Sequence, residues 1–353
     1  MLYFGRKNCR GKVMFLIPLG LLSLVLLATP GLANSPLTLR LTVQDHKVTA
    51  SWQAPFPLSN YVLYYAPYPE MNPIQSVPLG ELTRLSVELP YGAAYYVAVS
   101  GEDLYGQRHL SNITYFRIKK IWHPSPGTTW QWQLTDPIDL TVEAEMFDID
   151  LFETPKEIIQ ALHQRGRIVI CYFSAGTYEP WRPDAPLFPR EIIGNPLKDW
   201  PEERWLDIRR LDLLAPLMEA RLDLAVQKGC DGVEPDNVDA YQNKSGFPIS
   251  DKDQLRYNRW LAQAAHQRGL SVGLKNDLDQ IPELVDEFDW ALNEECFSYE
   301  ECEKLLPFIK AGKAVFGVEY ELSREEFCPE ANRMGFSFMK KHWELDAWQE
   351  PCW

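Results

Sequence analysis

Between residues 146 and 341 a short apolar run alternates with a helical stretch again and again, and few folds accept that rhythm. The apolar runs are MFDIDLF, RIVICYFSAG, WLDIRRL, DGVEPDN, SVGLKND, WALNEE, VFGVEY and FSFMKK. Among them lie PKEIIQALHQRG, LLAPLMEARLDLAVQKG, DQLRYNRWLAQAAHQRG, PELVDEF, ECEKLLPFIKAG and REEFCPEANRMG. Pro155 opens the first helix and Gly166 closes it, as helix ends prefer. Strands that are apolar throughout are covered on both faces, which marks a parallel sheet under helices. Eight such units predict an α/β fold, a (β/α)8 TIM barrel, over residues 130–353.

In such a barrel the carboxyl ends of the strands form the face where chemistry takes place. The polar residues cluster there. Asp148 and Asp150 end the first expected strand, Tyr172 and Ser174 the second, and Glu234 and Asp236 the fourth. Lys275 and Asn276 end the fifth, Asn293 and Glu294 the sixth, and Glu319 and Tyr320 the seventh. Glu234 and Asp236 share a face of their strand, with Asp236 nearer the open end. Pro235 lacks an amide hydrogen and marks the end of regular pairing. Asp239 falls in the loop beyond. Leu292 and Glu294 share one face, Asn293 and Glu295 the other, and spacing leaves open which acid points inward. Trp130, Trp132, Tyr172, Trp181 and Tyr320 are candidate platforms for sugar rings, with core packing the competing reading for each Trp.

Before the barrel, residues 36–118 change period. LTLRLTV, KVTASW, NYVLYYA, RLSVELP, AYYVAVSGED and NITYFRI are short and strand-like, with turn residues between them, and predict a small all-β sandwich. VTASW, YVLYY and YYVAV resemble a fibronectin type III domain, which implies a spacer or a surface-binding module. KKIWHPSPGTT, residues 119–129, reads as a linker.

The first 33 residues carry Arg6, Lys7, Arg10 and Lys12, then the apolar VMFLIPLGLLSLVLLA, then small residues up to Ala33. This reads as a secretory signal peptide, residues 1–33, and as an exported protein: secreted, periplasmic or on the cell surface. A retained membrane anchor is the alternative, disfavoured by Pro18 and by a run shorter than the ~20 apolar residues of a span. Loss of the four basic residues takes the net charge from −14 to −18. Such a surface repels phosphates, so no nucleic acid partner is expected. Cys9 leaves with the signal and six Cys remain. Cys296 and Cys302 are close enough for a loop disulfide, Cys328 and Cys352 pair by exclusion, and Cys171 and Cys230 read as buried free thiols. No Cys-x-x-Cys and no His pair at metal spacing occurs, so neither metal nor cofactor is expected.

WQWQL, DIDLFET, ICYFSAGTYEPWRPD, ERWLDIR, GVEPDNVDAYQNKSGFP, DQLRYNRWLAQAAHQRGLSVGLKND and NEECFSYEEC follow one another in order. This set resembles glycoside hydrolase family 114, the endo-α-1,4-polygalactosaminidases, from about Trp130 to the C-terminus. The resemblance implies a retaining endo-hydrolase of α-1,4-linked galactosamine polymers, with Asp236 and Glu294 as the catalytic pair. It also selects Glu294 over Glu295 through the Asn-Glu dipeptide. The residues agree with that chemistry, because glycoside hydrolysis needs two carboxyl groups flanking one bond. Asp148, Asp150, Tyr172, Trp181, Glu234, Asp239, Lys275, Asn276 and Tyr320 are candidate substrate contacts. For Glu234 a charge held by Lys275 is an equal reading. An α-glycosidase of neutral polymers and a non-catalytic polysaccharide-binding barrel stay open as alternatives. A membrane partner is expected only if the N-terminal segment remains as an anchor.

Overall fold

The computed structural model describes residues 37–353 apart from Asp45 and Asp136, so the expected signal peptide lies outside the described residues. The chain begins with β1 (Thr38–Gln44), β2 (Lys47–Gln53), β3 (Ser59–Pro67), β4 (Gln75–Gly80), β5 (Arg84–Glu88), β6 (Ala94–Glu102), β7 (Arg108–Leu110) and β8 (Thr114–Arg117). One antiparallel sheet has the order β1-β2-β5. The other runs β4-β3-β6-β7, with β8 also on β6. Every second residue turns inward: Leu39, Leu41 and Val43 of β1 and Val48, Ala50 and Trp52 of β2 share a core with Tyr61, Val97, Val99 and Phe116.

These sheets rest on the helical layer of the second half. Gln267 Nε2 donates to the Leu41 carbonyl, the Tyr115 hydroxyl donates to Asp223, and the Arg268 guanidinium lies 4.9 Å from the Tyr115 ring. The segment expected as a linker is docked: Lys119 Nζ meets Asp231 at 3.1 Å, and the Pro124 carbonyl accepts from the Ala314 amide.

The second half contains β9 (Trp130–Gln133), β10 (Met146–Asp150), α1 (Lys156–Gln164), β11 (Ile168–Ser174), β12 (Thr177–Tyr178), β13 (Ile193–Pro196), β14 (Arg204–Leu206) and α2 (Leu211–Lys228). It continues with β15 (Gly232–Asp236), α3 (Asp251–Gln267), β16 (Ser271–Lys275), α4 (Ile281–Leu284), β17 (Trp290–Glu294), α5 (Leu306–Lys310), β18 (Val315–Glu319), α6 (Arg324–Met334), β19 (Ser337–Lys340) and β20 (Glu350–Pro351). Strands β9, β10, β11, β15, β16, β17, β18 and β19 lie side by side and parallel, and β20 adds antiparallel to β19. The two ends of this curled sheet meet through side chains. Trp130 Nε1 donates to the Ser337 carbonyl at 2.9 Å, and Lys341 Nζ reaches Gln131 Oε1 at 3.4 Å.

Eight parallel strands were expected, but one was misassigned. WLDIRRL is not among them. Only Arg204–Leu206 is extended, in a separate antiparallel sheet with β12 and β13. Asp207 and Arg209 then close on each other at 2.7 Å, and the chain turns into α2. The missing strand is WQWQ. All four of its residues are buried, and the Gln131 and Gln133 amides are bonded to the Ala347, Thr135 and Pro137 carbonyls. Buried amides are acceptable when fully bonded, so polar letters concealed a core strand.

The alternation of each strand separates two cores. Trp130, Met146, Ile170, Trp290, Leu292, Phe316, Val318 and Met339 fill the inside of the curl. Phe147, Ile149, Val169, Val233, Val272 and Ala291 pack outward against Leu162, Leu222, Leu261 and Phe327 of the helices. Leu292 faces inward, so Glu294 two residues later does as well.

Cys171 and Cys230 are joined in a disulfide, which corrects their reading as free thiols. They are 59 residues apart, yet β11 and β15 are neighbouring strands, so the sheet brings them together. Cys296–Cys302 and Cys328–Cys352 are also bonded. Among the described residues no helix is long and apolar enough to cross a membrane.

Candidate active site

A cavity of about 1030 Å³ opens over the carboxyl ends of the parallel strands. Its floor is set by β11, β15, β16 and β17. Three of these strands end on residues in the left-handed backbone region: Asn237 (φ 59°) after β15, Asn276 (φ 49°) and Asp277 (φ 45°) after β16, and Glu295 (φ 64°) after β17. Each such residue costs about 1 kcal/mol or more unless its surroundings hold it. Here they are held. Asn237 lies so close to Gly176 that a Cβ on the glycine would fall 1.7 Å from the Asn237 carbonyl oxygen. The Glu295 amide donates to the Val318 carbonyl at 2.8 Å. The β15–β16 ladder registers only at Gly232 and Val233, in keeping with Pro235, and beyond it the side chains of the two strands meet.

The centre of that meeting is Lys275. Its Nζ lies 3.1 Å from Glu234 Oε1, 3.1 Å from Asp236 Oδ1 and 3.2 Å from Glu294 Oε2. It also sits 4.7 Å from the centre of the Trp132 ring. Burial works against this ammonium, but the three carboxylates outweigh it and hold its pKa well above the ordinary lysine value. Asp236 receives further bonds from the Asn237 amide at 2.8 Å on Oδ1 and from the Tyr172 hydroxyl at 3.2 Å on Oδ2. Glu294 Oε1 accepts from the Tyr320 hydroxyl, while the Asn276 amide nitrogen is 3.5 Å from Oε2. Asn276 Oδ1 in turn accepts the Glu294 backbone amide at 3.0 Å. Two carboxylates are thus fixed on both oxygens, and both remain open to the cavity, with side chains 17% and 27% exposed.

The other expected contacts divide into three groups. Tyr172, Trp181, Asp239, Lys275, Asn276 and Tyr320 line the cavity. Asp148 and Glu234 do not; both are 0% exposed beneath its floor. Asp150 reaches the wall, but Arg182 grips it through Nη1 at 3.0 Å and Nη2 at 2.7 Å, and the Phe152 and Glu153 amides add to it. It therefore has a structural partner in Arg182. Trp130 is core, and Trp132 is buried beneath Lys275. Glu319 lies on the outward face of β18, away from the mouth. It accepts the Phe297 amide at 2.8 Å and the Ser298 hydroxyl at 2.6 Å.

Some wall residues were not foreseen. Trp343 stacks on Tyr320 with ring centres 3.9 Å apart, and Glu203 accepts from Thr177 Oγ1 at 2.7 Å. Both come from segments outside the parallel strands, where no periodicity flags a residue. Asp239 and Glu203 form no ion pair among the described residues. Burial and the neighbouring Asp236 charge push the Asp239 pKa up to about 6, and burial raises that of Glu203.

The loop after Glu294 is fastened by Glu319 and by Cys296–Cys302. The double substitution Cys296→Ser and Cys302→Ser is expected to lower stability by about 2 kcal/mol, the effect of opening so short a loop. It is also expected to lower kcat more than it raises KM, because it loosens Glu294. Thermal denaturation and steady-state kinetics check both.

Known proteins share this fold. A family model described as glycoside-hydrolase family GH114 matches residues 113–353. The chain belongs to glycoside hydrolase family GH114. Its curled α/β sheet is similar to that of Aspergillus fumigatus Ega3, solved in complex with galactosamine: 42% identity, TM-score 0.63, covering 65% of this chain and 97% of that one. A variant of the glycoside hydrolase domain of PelA from Pseudomonas aeruginosa shares the fold at 14% identity and TM-score 0.50, covering 64% of this chain and 98% of that one. An uncharacterized protein of Deinococcus radiodurans is 28% identical over 214 residues, 53% of this chain, and the match spans 66% of that protein's length.

Proposed function

We propose that this GH114 member is an exported, retaining endo-glycosidase of α-1,4-linked galactosamine-containing polysaccharide, with Asp236 as nucleophile and Glu294 as acid and base. The observation that carries this reading is the single Lys275 Nζ in contact with both carboxylates. Two oxygens that share one ammonium at such distances lie within about 6 Å of each other. That upper bound falls short of the roughly 6.5–9.5 Å of inverting enzymes and admits the ~5–5.5 Å of retaining ones.

In the first step an Asp236 oxygen attacks the anomeric carbon, the bond to the leaving oxygen breaks, and the Glu294 proton passes to that oxygen. In the second step water attacks the same carbon, gives its proton to Glu294, and Asp236 departs as carboxylate. Negative charge leaves Asp236 and arrives on Glu294, and Lys275 touches both, so one cation serves each stage without moving. The galactosamine bound in the Ega3 structure supports the sugar class. The N-terminal sheets are read as a fibronectin type III-like spacer, which their strand order β1-β2-β5 over β4-β3-β6-β7 supports.

Asp239 and Glu203, acids in the wall that form no ion pair among the described residues, suit the ammonium of a de-N-acetylated sugar. De-N-acetylated polygalactosamine is therefore expected to be cut about tenfold better in kcat/KM than its acetylated form. Added salt is expected to raise KM by screening. Product analysis on the two polymers and a neutral polymer tests the reading; equal rates without salt dependence contradict the charge recognition, and no cleavage contradicts the activity.

A further inference from the structure

Beneath the floor three buried carboxylate oxygens have no hydrogen-bond partner: Asp148 Oδ1, Asp148 Oδ2 and Glu234 Oε2. Both side chains point into the curl, from β10 and β15, and neither is reached by solvent. Glu234 Oε1 is taken by Lys275 at 3.1 Å. Among the described residues Asp148 forms no ion pair, and the Lys275 ammonium makes its three short contacts elsewhere. An ionised Asp148, with neither oxygen partnered, beside a Glu234 carboxylate with one oxygen free would bear a desolvation cost of several kcal/mol in this dry interior. One proton between them removes that cost, since a protonated carboxyl is a donor and an ionised one an acceptor.

We infer that Asp148 is a neutral carboxylic acid donating its proton to Glu234 Oε2, and that this bond holds Glu234 ionised and aimed at Lys275, which it centres between Asp236 and Glu294. Asp148 and Glu234 are positioning residues; they act on the reaction through Lys275 and touch no substrate. The inference rests on the proposed roles of Asp236 and Glu294. The groups that face this pair are Tyr172 from β11, Asp236 from β15 and Lys275 from β16, with Glu294 and Tyr320 beyond the lysine. Burial, then the Glu234 charge, hold the Asp148 proton on far above the usual carboxyl range. Burial also lifts Glu234, to about 7, against the pull of Lys275, and the bond from Asp148 lowers it.

The consequence is directional. Without a donor from residue 148, Glu234 takes up its proton at higher pH and releases Lys275 earlier as pH falls. Asp148→Ala is expected to move the acid limb of kcat to higher pH and to lose about tenfold more kcat than Asp148→Asn, whose amide keeps a donor. KM is expected to stay put in both, because residue 148 lies outside the cavity wall. An unmoved acid limb in Asp148→Ala, or an Asn variant as impaired as the Ala variant, overturns the inference. Difference infrared spectroscopy of the substrate-free full chain at neutral pH provides a second readout. The wild type is expected to show a carboxylic-acid C=O band that Asp148→Asn lacks, and the same band in both proteins overturns the neutral Asp148. That measurement needs only folded Asp148→Asn and no substrate, so it is independent of whether the galactosamine reading holds.

Discussion

Asp236→Asn and Glu294→Gln are each expected to reduce turnover by about a thousandfold or more while leaving the fold intact. Each substitution removes a carboxylate but keeps the shape and part of the hydrogen bonding. Tyr172, Asn237 and Lys275 still surround position 236, and Tyr320, Asn276 and Lys275 still surround 294. The two variants differ in a way that separates their roles. Glu294→Gln is expected to retain glycosylation on substrates with an activated aryl leaving group, which needs no proton. Asp236→Asn is expected to be inert on every substrate. Near-normal turnover of either purified variant, with an unchanged circular dichroism spectrum, contradicts the assignment.

Lys275→Met is expected to be the most destabilising single change at the site, by about 3–5 kcal/mol, because it leaves buried carboxylates without their cation. Met matches the length of the lysine stem and can still lie over Trp132, so the loss reports charge more than packing. Activity is expected to fall with it, because Asp236 and Glu294 both lose the ammonium they share. The dependence of stability on alkaline pH follows from the direction of the lysine shift. Its folded-state pKa is raised, so its contribution is fully present below the ordinary lysine value and is lost as pH rises through the folded-state value. Chemical denaturation of wild type and variant across the alkaline range measures it; a gap that does not narrow there contradicts the role given to Lys275.

Much of this was legible in the sequence because it depends on period. Apolar strands alternating with helices could pack only as a parallel sheet under a helical layer, and the polar residues at strand ends had to converge on one rim. Asp236, Lys275, Asn276, Glu294 and Tyr320 meet there because each ends or follows a strand. Cys296–Cys302 was equally local, a pair six residues apart in one loop.

The tertiary structure decided what depends on neighbours distant in the chain. Whether Glu294 or Glu295 points inward was settled by Leu292 packing inside the curl, a fact about which face meets the interior. That β9 is a core strand depended on partners for its two glutamines, and that Cys171 meets Cys230 depended on strand order. Above all, the sequence places Asp148, Asp150, Glu234 and Asp236 at strand ends alike, as four similar acids. Only the fold sorts them, one bonded to Arg182, two sealed beneath the floor and one open to the cavity, because the state and use of a carboxylate follow from burial and from the charge beside it.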